Sequence, residues 1–210
     1  SEIMKNDLTE GRMAFEKQLD IMCAGAFSVS NDSDLKWVYF LDGLKDGDNN
    51  IAALIRCNDM LRQTFADSEH YQNYSVIMKN ELIFRKSGMV VGDKFFYDNY
   101  CTYQNTDFET WRKQSFEADT WQLFPLEEID TGEETLQAMT FSYPVRNYIQ
   151  QEQEANAVVQ FLLSKENLEQ MFGQLLSRQG GILIYDAEDR LLASLGKINA
   201  DGDDPENTDL

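Results

Sequence analysis

Asn156–Ser194 reads NAVVQFLLSKENLEQMFGQLLSRQGGILIYDAEDRLLAS, and the fold prediction starts from its pattern. It opens with Ala157–Leu163, an apolar run containing two valines that is short enough for a buried strand. The serine that follows can cap a helix over Lys165–Leu176, whose apolar residues recur on one face. A Gly-Gly pair ends that helix, and two short strands around Asp186–Asp189 form a hairpin. This order predicts the end of one sheet module and the start of the next.

Three helices are predicted before the sheet. Apolar residues at near-heptad spacing predict one long helix from Glu2 to about Phe27. Shorter helices are predicted at Asp34–Leu41 and Asn49–Phe65. The acidic loop between them has the alternating oxygen ligands of a calcium-binding loop but lacks its glycine and its closing glutamate, so we interpret it as a helix cap.

The pattern changes to short strands from Tyr74 onward. Strands are predicted at Tyr74–Lys79, Leu82–Arg85, Gly88–Val91 and Leu136–Val145. An aromatic-rich segment at Gly92–Thr106 and a short helix at Asp107–Phe116 interrupt them. Three linking segments are predicted: a loop or brief strand at Trp121–Pro125, an acidic solvated segment at Glu127–Glu134, and a turn at Asn147–Asn156. Helices followed by mostly antiparallel strands predict an α+β fold.

This order of elements resembles the extracellular Cache sensor domains of bacterial transmembrane receptors, whose lobes are PAS-like. The residues that carry the resemblance are the Tyr74–Val91 hairpin, the aromatic segment with its Trp-containing helix at Phe95–Phe116, the strand Leu136–Pro144, and the junction Ala157–Ser194. Such domains occur in Gram-positive two-component kinases and in AraC-type membrane regulators. The resemblance implies a long N-terminal helix plus a PAS-like antiparallel sheet, followed by a linking helix and the hairpin of a truncated second lobe.

The resemblance also implies how the chain divides. We expect residues 1–72 to form a helical segment on the sensor lobe, 73–176 the PAS-like distal lobe, and 177–194 a hairpin from the membrane-proximal lobe. Residues 195–210 are acidic and contain a glycine and a proline, so we expect a poorly ordered tail. The opening Ser1, with neither an initiating Met nor a signal peptide, leads us to expect a fragment of a longer receptor.

The charge and the cysteine content exclude several classes of protein. The net charge of −19 disfavours nucleic acid and anionic membrane surfaces, because their phosphates need Lys and Arg partners. No apolar run of about 18 residues occurs, so we expect membrane contact only through flanking segments. Cys23, Cys57 and Cys101 are too few for a disulfide scaffold. A disulfide between Cys23 and Cys57 is an alternative, but free buried thiols are favoured.

Little in the sequence indicates catalysis. The single histidine, His70, rules out a multi-His metal site. The chain contains neither a Gly-rich phosphate loop nor a nucleophile elbow. We therefore expect no enzyme activity, no cofactor and no metal site.

The strongest candidate for a binding site is a cluster of aromatic residues. Small-molecule pockets combine aromatic walls with a few directed polar groups, and PAS-like lobes bind between the sheet and the inserted segment. The candidate ligand-binding residues are Tyr97, Tyr100, Tyr103, Trp111, Arg112, Trp121, Phe141 and Tyr143, with Asp98 and Arg146 as further polar anchors. The alternative is that the aromatic side chains only fill the core. Amino-acid specificity is not carried over, because the chain lacks the Trp-Tyr pair of amino-acid-binding Cache domains.

The resemblance implies an extracellular ligand-sensing domain of a bacterial signal-transduction receptor. An unknown small molecule would shift the sheet against the N-terminal helix, which leads to the membrane. The near-heptad stripe on that helix also fits a homodimer. The alternatives are a cytoplasmic PAS- or GAF-like interaction module, a structural dimerisation domain without a small ligand, and an extracellular solute-binding or adhesion protein.

Overall fold

The computed structural model describes residues 2–38, 47–65, 73–146 and 154–197. Its helices are α1 (Glu2–Ser30), α2 (Ser33–Val38), α3 (Gly47–Phe65), α4 (Asp93–Tyr100), α5 (Phe108–Glu117), α6 (Lys165–Met171) and α7 (Gly173–Gln179). Its strands are β1 (Tyr74–Met78), β2 (Leu82–Arg85), β3 (Gly88–Val91), β4 (Thr102–Tyr103), β5 (Gln122–Asp130), β6 (Thr135–Val145), β7 (Ala157–Ser164), β8 (Gly181–Tyr185) and β9 (Leu191–Gly196). The long N-terminal helix and the α+β class are as predicted.

Strand β7 lies at the centre of the main sheet. The seven strands run in the order β3-β2-β1-β7-β6-β5-β4, and every pair is antiparallel. β7 pairs with β1 from Ala157 to Phe161 and with β6 along its whole length. A strand covered on both faces reads as a continuous apolar run rather than an alternating one. The apolar run at the start of Asn156–Ser194 is therefore the middle of the sheet.

The two faces of the sheet carry different helices. On one face, Val159 and Phe161 join a core cluster with residues of α1, α2, α3 and α6. On the other face, Val158 joins a second cluster with residues of α4 and α5. Successive side chains of a strand point to opposite faces, so residues of β7 alternate between the two cores.

Helix α1 is held at a set position against α6 and α7. The ring of Phe172 lies against Gly11, and a Cβ placed there would overlap Cδ1 of the ring and lie 2.7 Å from Cε1. One turn away, Phe15 contacts the same ring, with centroids 6.4 Å apart. On the other side, the buried carboxylate of Asp7 pairs with Arg178 of α7 at 3.1 Å. The small Gly11, the Phe172 ring and the Asp7–Arg178 ion pair together fix the position of α1 along α6 and α7.

The C-terminal hairpin forms a separate two-stranded sheet but shares the main core. β8 pairs with β9, and Leu192, Ala193 and Leu195 join the cluster on the α1 face. Gly196 adopts φ +70° against the carbonyl of Gly180, a close approach that only glycine permits.

Three predicted elements are wrong in detail. Trp121–Pro125 and the acidic Glu127–Glu134 were expected to be a short loop or strand and a solvated segment, yet β5 runs continuously through Asp130. Glu128 and Asp130 face solvent while Phe124 and Ile129 are buried, so charge on one face concealed a half-buried strand. The single helix predicted at Lys165–Leu176 is two helices, because Phe172 leaves helical geometry at φ −103° and ψ 16°.

Several predictions concern residues whose structure is not described here. These are His70, residues 39–41 of the predicted second helix, residues 147–153 of the predicted turn, and residues 198–210 of the predicted tail. The first two residues of that tail, Leu195 and Gly196, belong to β9. The proposed division into segments at residues 72, 176 and 194 stays a prediction.

The three cysteines are free thiols, as the composition favours. Burial, together with the nearby carboxylates of Asp32 and Asp34, raises the pKa of Cys57 to about 12. Burial likewise raises the pKa of Cys101 to about 12. Both thiols therefore stay neutral in the folded protein.

We expect the protein to lose stability as the pH rises from 9 towards 12, because the unfolded state releases thiol protons at about pH 9 and the folded state retains them. Urea unfolding at pH 8 and pH 10.5 measures this loss. In Cys57→Ala the loss should be smaller than in the wild type. Burial also raises the pKa of Cys23, but at a partly exposed site, so Cys23→Ala should reduce the loss less than Cys57→Ala does. Equal pH dependence in wild type and Cys57→Ala would contradict the prediction.

Candidate functional site

Helices α4 and α5 bring the aromatic segment onto the second face of the sheet. Asp107 caps α5 by accepting a hydrogen bond from the Thr110 amide at 2.8 Å, and this bond lowers the pKa of its carboxyl. Trp111, on the inner side of α5, is 0% exposed. Its ring lies 5.4 Å from that of Tyr97 and 6.2 Å from that of Phe96 in α4. The two helices thus pack together through aromatic rings over the sheet.

The structure divides the eight predicted ligand-binding residues between the two faces of the sheet. Tyr97, Tyr100, Tyr103, Trp111 and Arg112 belong to the α4–β4–α5 segment. Phe141 and Tyr143 of β6 lie on the α1 face, and Trp121 stacks on Phe141 with centroids 5.6 Å apart. Because side chains alternate along β6, Thr140 and Ser142 take the inner positions on the α4 face instead. The eight residues therefore do not form one wall.

The tyrosines nearest to Trp111 have partners within the protein. The hydroxyl of Tyr97 donates to the carbonyl of Thr106, and its ring stacks on Tyr103 at 6.3 Å. The hydroxyls of Tyr103 and Thr140 share a buried hydrogen bond of 2.8 Å. Burial raises the pKa of Tyr103 well above its ordinary value. These groups fill and order the interior between α4, α5 and the sheet.

Arg112 clamps α5 to neighbouring elements. Its guanidinium donates to Asp93 at the start of α4 at 2.8 Å and to Glu154 at 3.3 Å. It also lies over the ring of Phe116 at 5.0 Å. The other two polar anchors are similarly engaged, since Asp98 pairs with Lys94 and Arg146 donates to backbone carbonyls before β5.

A cleft of about 440 Å³ opens where the ends of β1, β2 and β7 meet α4. Residues that line it include Ser75, Arg85, Phe96, Tyr100, Cys101 and Gln160. Tyr100 is the residue of the predicted set that contributes to its described lining. The guanidinium of Arg85 lies over the Tyr100 ring at 4.1 Å and pairs with Glu133 at 2.9 Å.

Gln160 is a buried polar residue at the wall of this cleft. It is 2% exposed, and its amide nitrogen donates to the hydroxyls of Ser115 at 2.9 Å and Ser142 at 3.3 Å. Its amide oxygen has no partner among the described residues. A buried acceptor without a partner costs about 1–3 kcal/mol, so such groups are uncommon in folded proteins.

Tyr74 is a second buried polar residue at the same cleft. Its hydroxyl also lacks a partner in the described part of the chain. Burial raises the pKa of Tyr74, and the positive charge of Arg62 opposes that shift. The ring of Tyr74 packs on Phe65 of α3 at 4.6 Å in the core of the α1 face, so the acceptor left for a molecule bound in the cleft is the amide oxygen of Gln160.

Sequence reasoning missed Gln160, Ser75 and Arg85 because each lies inside a run that predicts a strand. One signal was available: Gln160 is a polar residue in the middle of an otherwise apolar stretch. In a strand buried on both faces, such a residue needs a polar neighbour or a ligand.

Neither a metal site nor a membrane span is found in the described ranges. No group of His, Cys, Asp or Glu side chains there could hold a metal ion. None of the helices described is both long enough and apolar enough to cross a bilayer.

Comparison of structures, and not of sequences, finds known proteins similar to this chain. No protein-family model matches the chain, and no curated protein matches it. Similar solved structures include the sensory domain of the Campylobacter jejuni chemoreceptor Tlp3 with isoleucine bound, and the ligand-binding domain of the same receptor in complex with L-valine. Each is 13% identical and covers 90% of this chain and 73% of the receptor chain, with TM-scores of 0.42 and 0.39.

Proposed function

We propose that this chain is the extracellular ligand-sensing domain of a bacterial signal-transduction receptor, and that it binds a small molecule in the cleft beside α4. The observation that carries the proposal is the buried amide oxygen of Gln160, which lacks a partner at the wall of that cleft. A ligand that donates a hydrogen bond to this oxygen removes its desolvation penalty.

The sheet offers a short route from the cleft to α1. Ser75 and Gln160 face α4, whereas their neighbours Val76 and Phe161 belong to the core that α1 shares. A ligand with different affinities for two positions of these strands would shift the balance between two positions of α1. The resemblance implies that α1 leads to the membrane, so the shift would reach the rest of the receptor as a displacement of that helix.

The chemistry of the cleft does not favour an aliphatic amino acid such as those bound by the chemoreceptor. Arg85 and Glu133 contribute charges, and Ser75 and Gln160 contribute polar groups. Aliphatic side chains bind best where apolar surface surrounds them.

A second candidate function is a structural or dimerisation domain without a small ligand. The observation in its favour is the complete burial of Trp111 among the rings of α4 and α5, where the sequence predicted a ligand-binding wall. If this is the function, the polar cleft is filled only by water.

Thermal unfolding in the presence of a metabolite library tests the proposal. A ligand at about 100 times its Kd should raise the Tm by about 5–10 °C, because it binds the folded state alone. Arg85→Ala should abolish the shift, since Arg85 lines the cleft. The control is Arg12→Ala, which removes an exposed ion pair on α1. A library without any stabilising compound would favour the structural alternative, and a shift retained in Arg85→Ala would show that the compound binds outside this cleft.

A further inference from the structure

We infer that the edge of the main sheet at β3 is the contact through which two copies of this chain form a two-fold dimer, with the two β3 strands pairing antiparallel. This inference goes beyond the proposed function and does not depend on what the cleft binds. The open edge of the strand, the apolar surface beside it and the charges at its two ends each contribute one part of it.

Strand β3 ends the main sheet and has one neighbouring strand, β2. In an antiparallel ladder each strand directs part of its N–H and C=O groups to either side, so the outer side of β3 is available for pairing. Native proteins protect such an edge with a charged residue, a proline or a bulge. The sequence of β3 is Gly-Met-Val-Val in regular register with β2, so the strand has none of these protections.

An apolar surface lies beside this edge, on the face of the sheet that α3 covers. Met89 and Val91 pair with Phe84 and Leu82, which belong to the core on that face. Paired residues of neighbouring strands point to the same face, so the side chains of Met89 and Val91 extend that core outward. They are nevertheless 39% and 50% exposed.

The flank of α3 adds two isoleucines to this surface. Ile51 and Ile55 lie one turn apart and are 55% and 56% exposed. Arg62 lies two turns beyond Ile55 on the same side of the helix, and it lines the cleft together with Lys86 and Ser87 from the turn before β3. That side of α3 therefore faces the β3 edge, and its isoleucines can be buried together with Met89 and Val91 of a second copy.

The two ends of the β3 edge carry opposite charges. Lys86 precedes β3, whereas Glu81 lies beside the end of β3, where its carbonyl accepts a hydrogen bond from the Gly92 amide at 2.8 Å. Both side chains are exposed, and neither has an ion-pair partner within the described part of the chain. When identical strands pair antiparallel, the start of each strand lies beside the end of the other. Lys86 of one copy then meets Glu81 of the other at both ends of the contact.

The charge of the protein favours this edge as the contact between copies. At a net charge of −19, two copies repel each other across most of their surface, whereas the two ends of β3 attract each other. A self-complementary patch on a two-fold axis is the usual geometry of a homodimer. The stripe of α1 is less available, because Met22 and Ala26 are buried and Phe15 and Leu19 pack against the core of their own chain.

Sedimentation velocity over a series of protein concentrations tests the inference on the intact chain. The wild type should be a dimer that dissociates on dilution, because a short strand and a few apolar side chains make a small interface. Val91→Asp should raise the dissociation constant at least about tenfold, since it places a charge in the apolar surface beside Glu81. The control is Leu8→Asp, which puts the same charge at an exposed apolar position on α1 and should leave the dimer intact.

Three results would overturn the inference. The first is a wild type that stays monomeric at every concentration up to about 1 mM. The second is a dimer that Val91→Asp leaves intact, and the third is a dimer that Leu8→Asp dissociates, because the contact would then lie elsewhere.

Two charge reversals test the antiparallel geometry. Lys86→Glu and Glu81→Lys should each weaken the dimer several-fold, because each brings like charges together at both ends. One variant makes the protein more acidic and the other less acidic, so a general effect of net charge cannot weaken both. The double variant restores opposite charges and should regain a dissociation constant near that of the wild type.

This rescue distinguishes a second copy from a strand of another protein, because it requires both residues at one contact between two copies. Glu81 has φ +67°, which lysine adopts no less readily than glutamate, so the reversal adds no backbone strain. If Val91→Asp fails to fold, the charge reversals at the exposed Lys86 and Glu81 still decide. Additive weakening in the double variant would overturn the antiparallel contact.

Discussion

Replacing Trp111 by alanine is expected to destabilise the protein by about 3–5 kcal/mol. The side chain is 0% exposed and packs between Phe96, Tyr97 and Phe108, so truncation opens a cavity between α5 and the sheet. Urea unfolding followed by far-UV circular dichroism measures the loss. Trp111→Phe should cost far less, because it keeps most of the ring volume and removes an indole N–H that has no partner among the described residues.

Trp121 provides the matched control for this prediction. It is 42% exposed and stacks on Phe141 at the opposite face, so Trp121→Ala should cost about 1 kcal/mol. If Trp111 were instead part of an open ligand-binding wall, its loss would abolish binding and leave stability nearly unchanged. Equal stability losses at the two tryptophans would therefore contradict the core position of Trp111.

Replacing Gly11 by leucine is expected to cost about 2–3 kcal/mol. In an exposed helix the same change stabilises by nearly 1 kcal/mol, because glycine is the weaker helix former. Here the new Cβ would meet the ring of Phe172, 2.7 Å from Cε1 at its ideal position. A loss of stability, rather than a gain, would therefore show that Gly11 of α1 contacts Phe172, the residue between α6 and α7. Thermal and urea unfolding both measure it.

A second substitution should relieve the destabilisation that Gly11→Leu causes. Phe172→Ala vacates the space that the leucine needs, so the double variant should be more stable than the sum of the single changes predicts. The control is Gly173→Leu, because no atom lies within 4 Å of a Cβ at that position. Additive effects of Gly11→Leu and Phe172→Ala would show that the two residues do not determine the register of α1. The same variants test whether this contact carries the ligand response, since a shifted α1 should change the Tm increase on ligand binding.

Local patterns were sufficient for most of the secondary structure. The strands at Leu82–Arg85 and Gly88–Val91 have the bounds that the sequence predicted, because turn residues and short apolar runs are short-range signals. The apolar run of β7 indicated a buried strand, and β7 is the centre of the sheet. The near-heptad stripe predicted the long α1 correctly, since a helix must bury one face.

The candidate site depended on contacts between distant residues. Ser75 and Gln160 are neighbours only because β1 and β7 pair, and Arg85 meets Glu133 across 48 positions of sequence. Periodicity shows that Phe141 and Thr140 lie on opposite faces of β6, but it does not show which face α4 covers. The eight predicted residues were chosen by type, and their division between two faces follows from that packing. By itself the sequence determined the elements and the class of fold. Only the tertiary structure decided which polar groups were buried together, because burial depends on contacts between residues that are distant in the sequence.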